Sequence, residues 1–202
     1  MAKQETNNRT MGVLYGRALV QPTTIDQEAR EGDVVCATEK MVTRFSWDED
    51  YDEMLVCEAS AVRMDRANQG LPLLDCHNSY SVHSQVGRTV KVWINESRQL
   101  CARVRFSSRP EVAGLFQDVV DGIVKGISVG YEIYKFEREE RPNGARPIYR
   151  ATDWMPIEIS LAPVPADIDS GIRTGQQQHR NHKQTNHKYH HQHEKNESNR
   201  NR

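Results

Sequence analysis

Ser128 stands between two glycines in GISVG, residues 126–130, a G-x-S-x-G string that in α/β-hydrolases places a nucleophilic serine on a strand-to-helix turn. The context here is reversed. A helical pattern precedes the serine, a strand pattern follows it, and no histidine comes after it until the polar C-terminal stretch, whereas that fold needs its histidine downstream. Another grouping could still carry out acyl transfer. His77 in LPLLDCH lies upstream and Glu158 in MPIEIS lies downstream, so a base, a hydroxyl and a carboxylate are all present. If 127–131 and 157–161 are strands, Ile127, Val129 and Tyr131 oppose Ser128, while Ile157, Ile159 and Leu161 oppose Glu158 and Ser160. Ser128 and Glu158 then leave the apolar face together, on the solvent side, with His77 between them at the end of its own strand. Gly126 and Gly130 are expected to keep the backbone around the hydroxyl open to a substrate chain. His83 is a second candidate for the base, and Asp153, Glu132 and Asp169 compete with Glu158 as the third group. Cys76, adjacent to His77, is expected to point to the core by strand alternation.

The elements that must hold these groups read mostly as strands. VKVWINESRQLCARVRF alternates on two arms around a polar turn at Asn95–Arg98, with Val90, Val92 and Ile94 on one face, which is a hairpin signal. In SSRPEVAGLFQDVVDG, Ser108 and Glu111 have capping-box spacing, Pro110 falls in the first turn, and Val112, Leu115, Phe116, Val119 and Val120 follow the helical period until Gly122. Period two returns in YEIYKFE and, after a turn at Arg141–Gly144, in PIYRATDWMPIEISLAPVPA. GVLYGRALV, DVVCAT, EMLVCEASAVRM and LPLLDCH read as further short strands. Many strands with a few helices predict a mainly β (α+β) domain, a closed or nearly closed β-barrel.

Composition limits the functional classes. The 202 residues are 37% hydrophobic with a formal charge of −1, enough for one domain with a real core. From Arg173 onward seven Lys or Arg face two acids, so that segment carries +5 and the preceding residues carry −6. An acidic body argues against a protein built mainly to hold nucleic acid. The start, MAKQETNNRT, has no apolar run behind it, and no stretch is apolar enough to span a bilayer, so a soluble, non-secreted protein is expected. Residues 1–10 are expected to be flexible and 11–172 to form the domain. Residues 173–202 are expected to be a disordered tail, since 176–202 contains no aliphatic residue. Six of the eight histidines lie there, a tract able to bind transition metals loosely, although no metal or cofactor is expected to serve the function. Cys36, Cys57, Cys76 and Cys101 form no C-x-x-C pair and are expected to be buried, reduced thiols.

Three ordered stretches, LPLLDCHNSYSVHSQVGRTV, FSSRPEVAGLFQDVVDGIVKGISVGYEI and WMPIEISLAPVPADIDSGI, together resemble the prohead serine proteases of tailed bacteriophages, a capsid-maturation family distantly related to herpesvirus assemblin. The resemblance spans about residues 10–172. It implies an assemblin-like barrel and an endopeptidase inside the immature head, in the cytoplasm of a bacterial host. Its implied substrates are scaffold and major capsid protein, and itself by self-cleavage. His77, with Gly87 and Arg88 downstream, would be the base, Ser128 in DGIVKGISVG the nucleophile, and Glu158 in EISLAPVPA the orienting carboxylate. The loop from Ala162 to Asp167 is implied as the place of the oxyanion donors, although Pro163 and Pro165 have no N–H to give. A homodimer through the helix is a further implied partner, with no membrane and no specific nucleic acid. The competing reading is a non-catalytic head-assembly or scaffold protein that keeps the same fold.

Overall fold

The computed structural model describes residues 14–19, 24–46 and 48–163. What the sequence predicts for residues 1–10 and 173–202, the histidine tract included, lies outside the described residues. Nine strands form one sheet: β1 (Leu14–Leu19), β2 (Glu31–Thr38), β3 (Val42–Arg44), β4 (Tyr51–Leu55), β5 (Pro72–Asp75), β6 (Gln85–Ile94), β7 (Gln99–Phe106), β8 (Gly126–Glu139) and β9 (Ile148–Leu161). Two helices accompany them, α1 (Asp65–Gln69) and α2 (Pro110–Val120). The strand path is β1-β8-β9-β5-β6-β7-β2, and the β3–β4 hairpin joins β9 through β4.

The expected closure into a barrel does not occur. β1 and β2, the two ends of the path, come near each other, but among the described residues no ladder joins them. One reason is local: the main-chain groups of Glu31 at the start of β2 exchange hydrogen bonds with Asp26, at 2.8 and 3.0 Å, and so are not available to β1.

β9 organises the sheet. On one side it pairs antiparallel with β8 along almost its whole length; on the other it pairs parallel with β4 through Ile148–Ala151 and with β5 through Ile159–Leu161. Parallel neighbours favour apolar runs because both faces are covered, and the last four residues of β9 are all buried. The β8–β9 ladder slips once beside the candidate residues, passing from Gly130↔Glu158 to Tyr131↔Pro156 and leaving Ile157 between rungs as a bulge.

The core collects Ile127, Val129, Tyr131, Trp154, Ile159 and Leu161 from these two strands, with Leu71, Leu73, Val104 and Phe106. α2 closes it with Val112, Phe116 and Val119, and the rings of Phe116 and Phe106 are 5.1 Å apart. The capping box expected for this helix is not formed. The helix begins at Pro110 with Arg109 as its N-cap, which puts Ser108 one position too early. Ser107 instead accepts a bond from the Arg109 N–H at 3.2 Å. The β6–β7 hairpin forms as the alternation predicts, except that Val90 is 48% exposed. A bulge between Thr89 and Lys91 resets the alternation there, turning Thr89 inward and Val90 outward.

Candidate functional site

β5 ends at Asp75 because the chain turns sharply. Cys76 and His77 both have left-handed backbones, with φ of 49° and 59°, and the Asn78 N–H closes the turn on the Asp75 carbonyl at 3.0 Å. Left-handed conformations cost a non-glycine residue about 1–2 kcal/mol each, and strain of this kind collects where a side chain must be held in one direction. The turn aims His77 back over the end of β9. Its Nδ1 lies 2.6 Å from Glu158 Oε1, and its main-chain N–H donates to Ser160 Oγ at 3.1 Å.

Glu158 is thereby held at both oxygens, since Oε2 accepts the Ser160 hydroxyl at 2.6 Å. An ionised carboxylate can only accept, so in a contact with ionised Glu158 the donor is the Nδ1–H of the imidazole and Nε2 is the ring nitrogen turned away from it. On the neighbouring strand the register places Ser128 opposite Ser160 and Gly130 opposite Glu158. Directly opposed residues project from the same face. Ser128, Gly130, Glu158 and Ser160 therefore share a face, opposite to Ile127, Val129, Ile159 and Leu161, with His77 reaching it from β5, the next strand over.

This face is not the solvent side that alternation suggested. Ser128 is 5% exposed, Glu158 7% and Ser160 0%, so three polar side chains lie buried and each has partners. Gly130 also has a different role from the one expected. A Cβ built on it would sit 2.4 Å from Glu158 Oε1 and 2.9 Å from its Cγ, because the Glu158 side chain lies across the glycine. The second glycine of GISVG makes room for the carboxylate rather than for a substrate chain.

The other candidates are placed elsewhere. Asp153 pairs with Arg63 through two bonds of 2.6 Å. Glu132 accepts the Tyr134 hydroxyl at 2.8 Å. His83 sits in an exposed 3-10 turn over Val82–Ser84, and Asp169 lies outside the described residues, as do residues 164–167 of the implied oxyanion loop. Cys76 is exposed rather than buried, because strand alternation has ended where the left-handed turn begins; Cys36, Cys57 and Cys101 are buried as expected. Ser160 was given no role by sequence reasoning. Its signal was there: two residues from Glu158 on a strand, it had to share the carboxylate's face. Among the described residues no group of three or more His, Cys, Asp or Glu could hold a metal, and no helix is long and apolar enough to cross a membrane.

Against known proteins, 120 residues of the chain are 37% identical to the major capsid protein of Halomonas phage phiHAP-1, covering 59% of the chain. The chain spans 20% of that protein's length. No family model matches the chain, and no solved structure matches it. These findings overturn the identification as a prohead protease, and with it scaffold, capsid protein and the chain itself as the substrates of a maturation protease. The similarity is to a protein of the shell, in line with the competing head-protein reading.

Proposed function

We propose that this chain is a head-assembly protein of a tailed phage, working as part of the capsid structure rather than on it. The observation that carries the reading is the 37% identity over 120 residues to a phage major capsid protein. The fold is compatible with such a role: a single sheet braced across β9 by strands from both sides presents a rigid unit to its neighbours. The test is quantitative mass spectrometry of purified heads. Peptides from residues 48–163 should be recovered in amounts comparable with the main shell protein; their absence from heads, with the chain present in the lysate, would sink the proposal.

A second reading rests on the site alone. The 2.6 Å contact between His77 and Glu158, on the face that carries Ser128, supports a serine endopeptidase centre. In it, His77 Nε2 would take the Ser128 proton as the hydroxyl attacks a peptide carbonyl, and Glu158 would orient the imidazole and stabilise its cation. The imidazolium would give that proton to the leaving amine as the C–N bond breaks, and water, deprotonated by His77, would then cleave the acyl-serine and return the hydroxyl. A fluorophosphonate probe discriminates: it should label Ser128 in the native protein, and labelling should disappear in both Ser128→Ala and His77→Ala. Absence of label from native Ser128, or labelling undiminished in His77→Ala, counts against the enzyme.

A further inference from the structure

The sheet carries a second feature, one strand beyond the buried cluster. Leu74 of β5 pairs with Ser160 on one side and with Gln85 of β6 on the other, and Gln85 opens a groove of about 340 Å³ between β6, the end of β7 and the 3-10 turn. Its floor is main chain. A Cβ on Gly87 would stand 2.3 Å from the Arg105 carbonyl oxygen and 3.2 Å from Leu73 Cδ2, so β6 and β7 approach more closely there than a side chain allows, and it is the main chain of Gly87 that lines the groove.

Its rim is cationic, with Arg88, Arg105 and Arg109 all lining it. Arg105 is matched by Glu31 at 2.5 Å. Arg88 and Arg109 are not matched by acids: among the described residues neither has a carboxylate partner, and both spend donors on carbonyl oxygens. Arg88 Nε donates to Thr89 at 3.2 Å, and Arg109 Nη2 to Gln85 at 2.5 Å and His83 at 3.3 Å. Each guanidinium has five N–H donors, so these contacts fix the two groups while leaving donors for a ligand. Val82, 79% exposed, adds an apolar wall. Two unmatched, pre-oriented arginines on an otherwise acidic body are unusual, because a net charge of −6 before Arg173 supplies ample carboxylate to pair them.

We propose that this groove binds an extended, acidic peptide segment of a partner chain, its backbone lying over Gly87 and its carboxylates taken by Arg88 and Arg109 in bidentate fashion. Nucleic acid fits less well. It needs a stripe of cations tracking many phosphates, whereas here two arginines without an acidic partner among the described residues sit in a short groove on an acidic body. Alternate side chains of an extended peptide fall about 6.6–6.8 Å apart on one face, so a Glu-x-Glu or Asp-x-Asp sequence turns two carboxylates to the same side, the side that faces the groove. The site stands independently of the chemistry at Ser128 and of the role in the head.

The test is fluorescence anisotropy on the full chain with a labelled decapeptide carrying alternating Glu, beside the same peptide with Lys and a single-stranded oligonucleotide of equal charge. The Glu peptide should bind, weaken as salt is raised, and lose at least tenfold in affinity in Arg88→Gln/Arg109→Gln, whereas Arg88→Lys/Arg109→Lys should retain part of the binding. Val82→Asp, at an exposed position on the groove wall, should also weaken binding with the thermal melt unchanged, so that a fold lost in the double variant does not decide the matter. Equal affinity for the Glu and Lys peptides, no effect of Val82→Asp and the Gln pair, or tighter binding of the oligonucleotide would each overturn the assignment.

Discussion

At the scale of single residues, the buried cluster depends on a side chain that is missing. Gly130 has an ordinary extended backbone, so alanine is allowed there conformationally, and the obstacle is only the Glu158 carboxylate 2.4 Å from where a Cβ would stand. Gly130→Ala is expected to cost about 1–3 kcal/mol, the usual range for overpacking, measured by urea denaturation. The cost should shrink when Glu158 is also replaced by alanine, because the two changes share one space; equal costs in both backgrounds would show that the carboxylate is not what the methyl meets. The thiols give a second prediction. Burial pushes Cys57 up to about 12 and Cys101 up to about 11 from an ordinary 9.0, and it also raises Cys36, whereas Cys76 is exposed. An aromatic disulfide reagent at neutral pH should modify one thiol in the folded protein and four after denaturation. The same shifts set a sign for alkaline stability. Above pH 9 the unfolded chain releases thiol protons that the folded chain keeps, so stability falls from pH 9 towards 12, by about 1.4 kcal/mol per pH unit for each such thiol. Replacing Cys57 by alanine should flatten that slope, as read from urea midpoints between pH 8.5 and 10.5.

At the scale of elements, β4 is tied to β3 and β8 through a carboxylate inside the protein. Glu53 is 2% exposed and receives the Arg44 guanidinium, Nη2 at 2.9 Å and Nε at 3.1 Å, together with the Tyr131 hydroxyl; burial, with the Glu53 charge next, drives the Tyr131 hydroxyl well above its usual range. Taking away one partner of a buried pair leaves a charge uncompensated. Arg44→Ala should therefore destabilise by about 3 kcal/mol and Tyr131→Phe by about 1–2 kcal/mol, measured by thermal or urea melts. Neither Arg44 nor Glu53 stands out in the sequence: β3 is only three residues long, too short for a periodic signal. The long strands and α2 were legible because their periods run for many residues. The helix start differs by one position because Ser108 carries the capping signature, whereas the helix follows Arg109, which makes no side-chain cap. The site was legible in part for the same reason: parity shows that Ser128 and Glu158 leave the apolar side, but not that this second side is covered. Burial of the polar face and the carboxylate lying over Gly130 arise from contacts between segments distant in sequence, and the left-handed turn under His77 is a local break in the strand; periodicity encodes neither.

At the scale of the whole molecule, one strand holds the rest. The last residues of β9 are bonded on one side to β8 and on the other to β5, so amide exchange should be slowest at Ile159 and Leu161 and in the facing 127–129 segment. The exposed end of β8, from Glu137 to Glu139, should exchange much faster; comparable rates along β8 would contradict this account. Pairings such as β4 with β9 and β1 with β8 close long loops, so folding in milliseconds to seconds is expected, checked by stopped-flow refolding. The bulge at Ile157 has a wider consequence. Trp154 and Ile159 both lie in the core although they are five positions apart, an odd interval that a regular pleat would send to opposite faces. The extra residue shifts the phase of the strand, allowing an apolar anchor on either side while Glu158 turns the other way. Deleting Ile157 would leave four positions between Trp154 and Ile159, matching the four from Val129 to Ile133 on β8, so the strand would straighten with both anchors still on one face. A one-residue loss should therefore be tolerated at Ile157 but not between Ile159 and Leu161, where the pleat is regular and paired on both sides, as thermal melts of the two deletions would show.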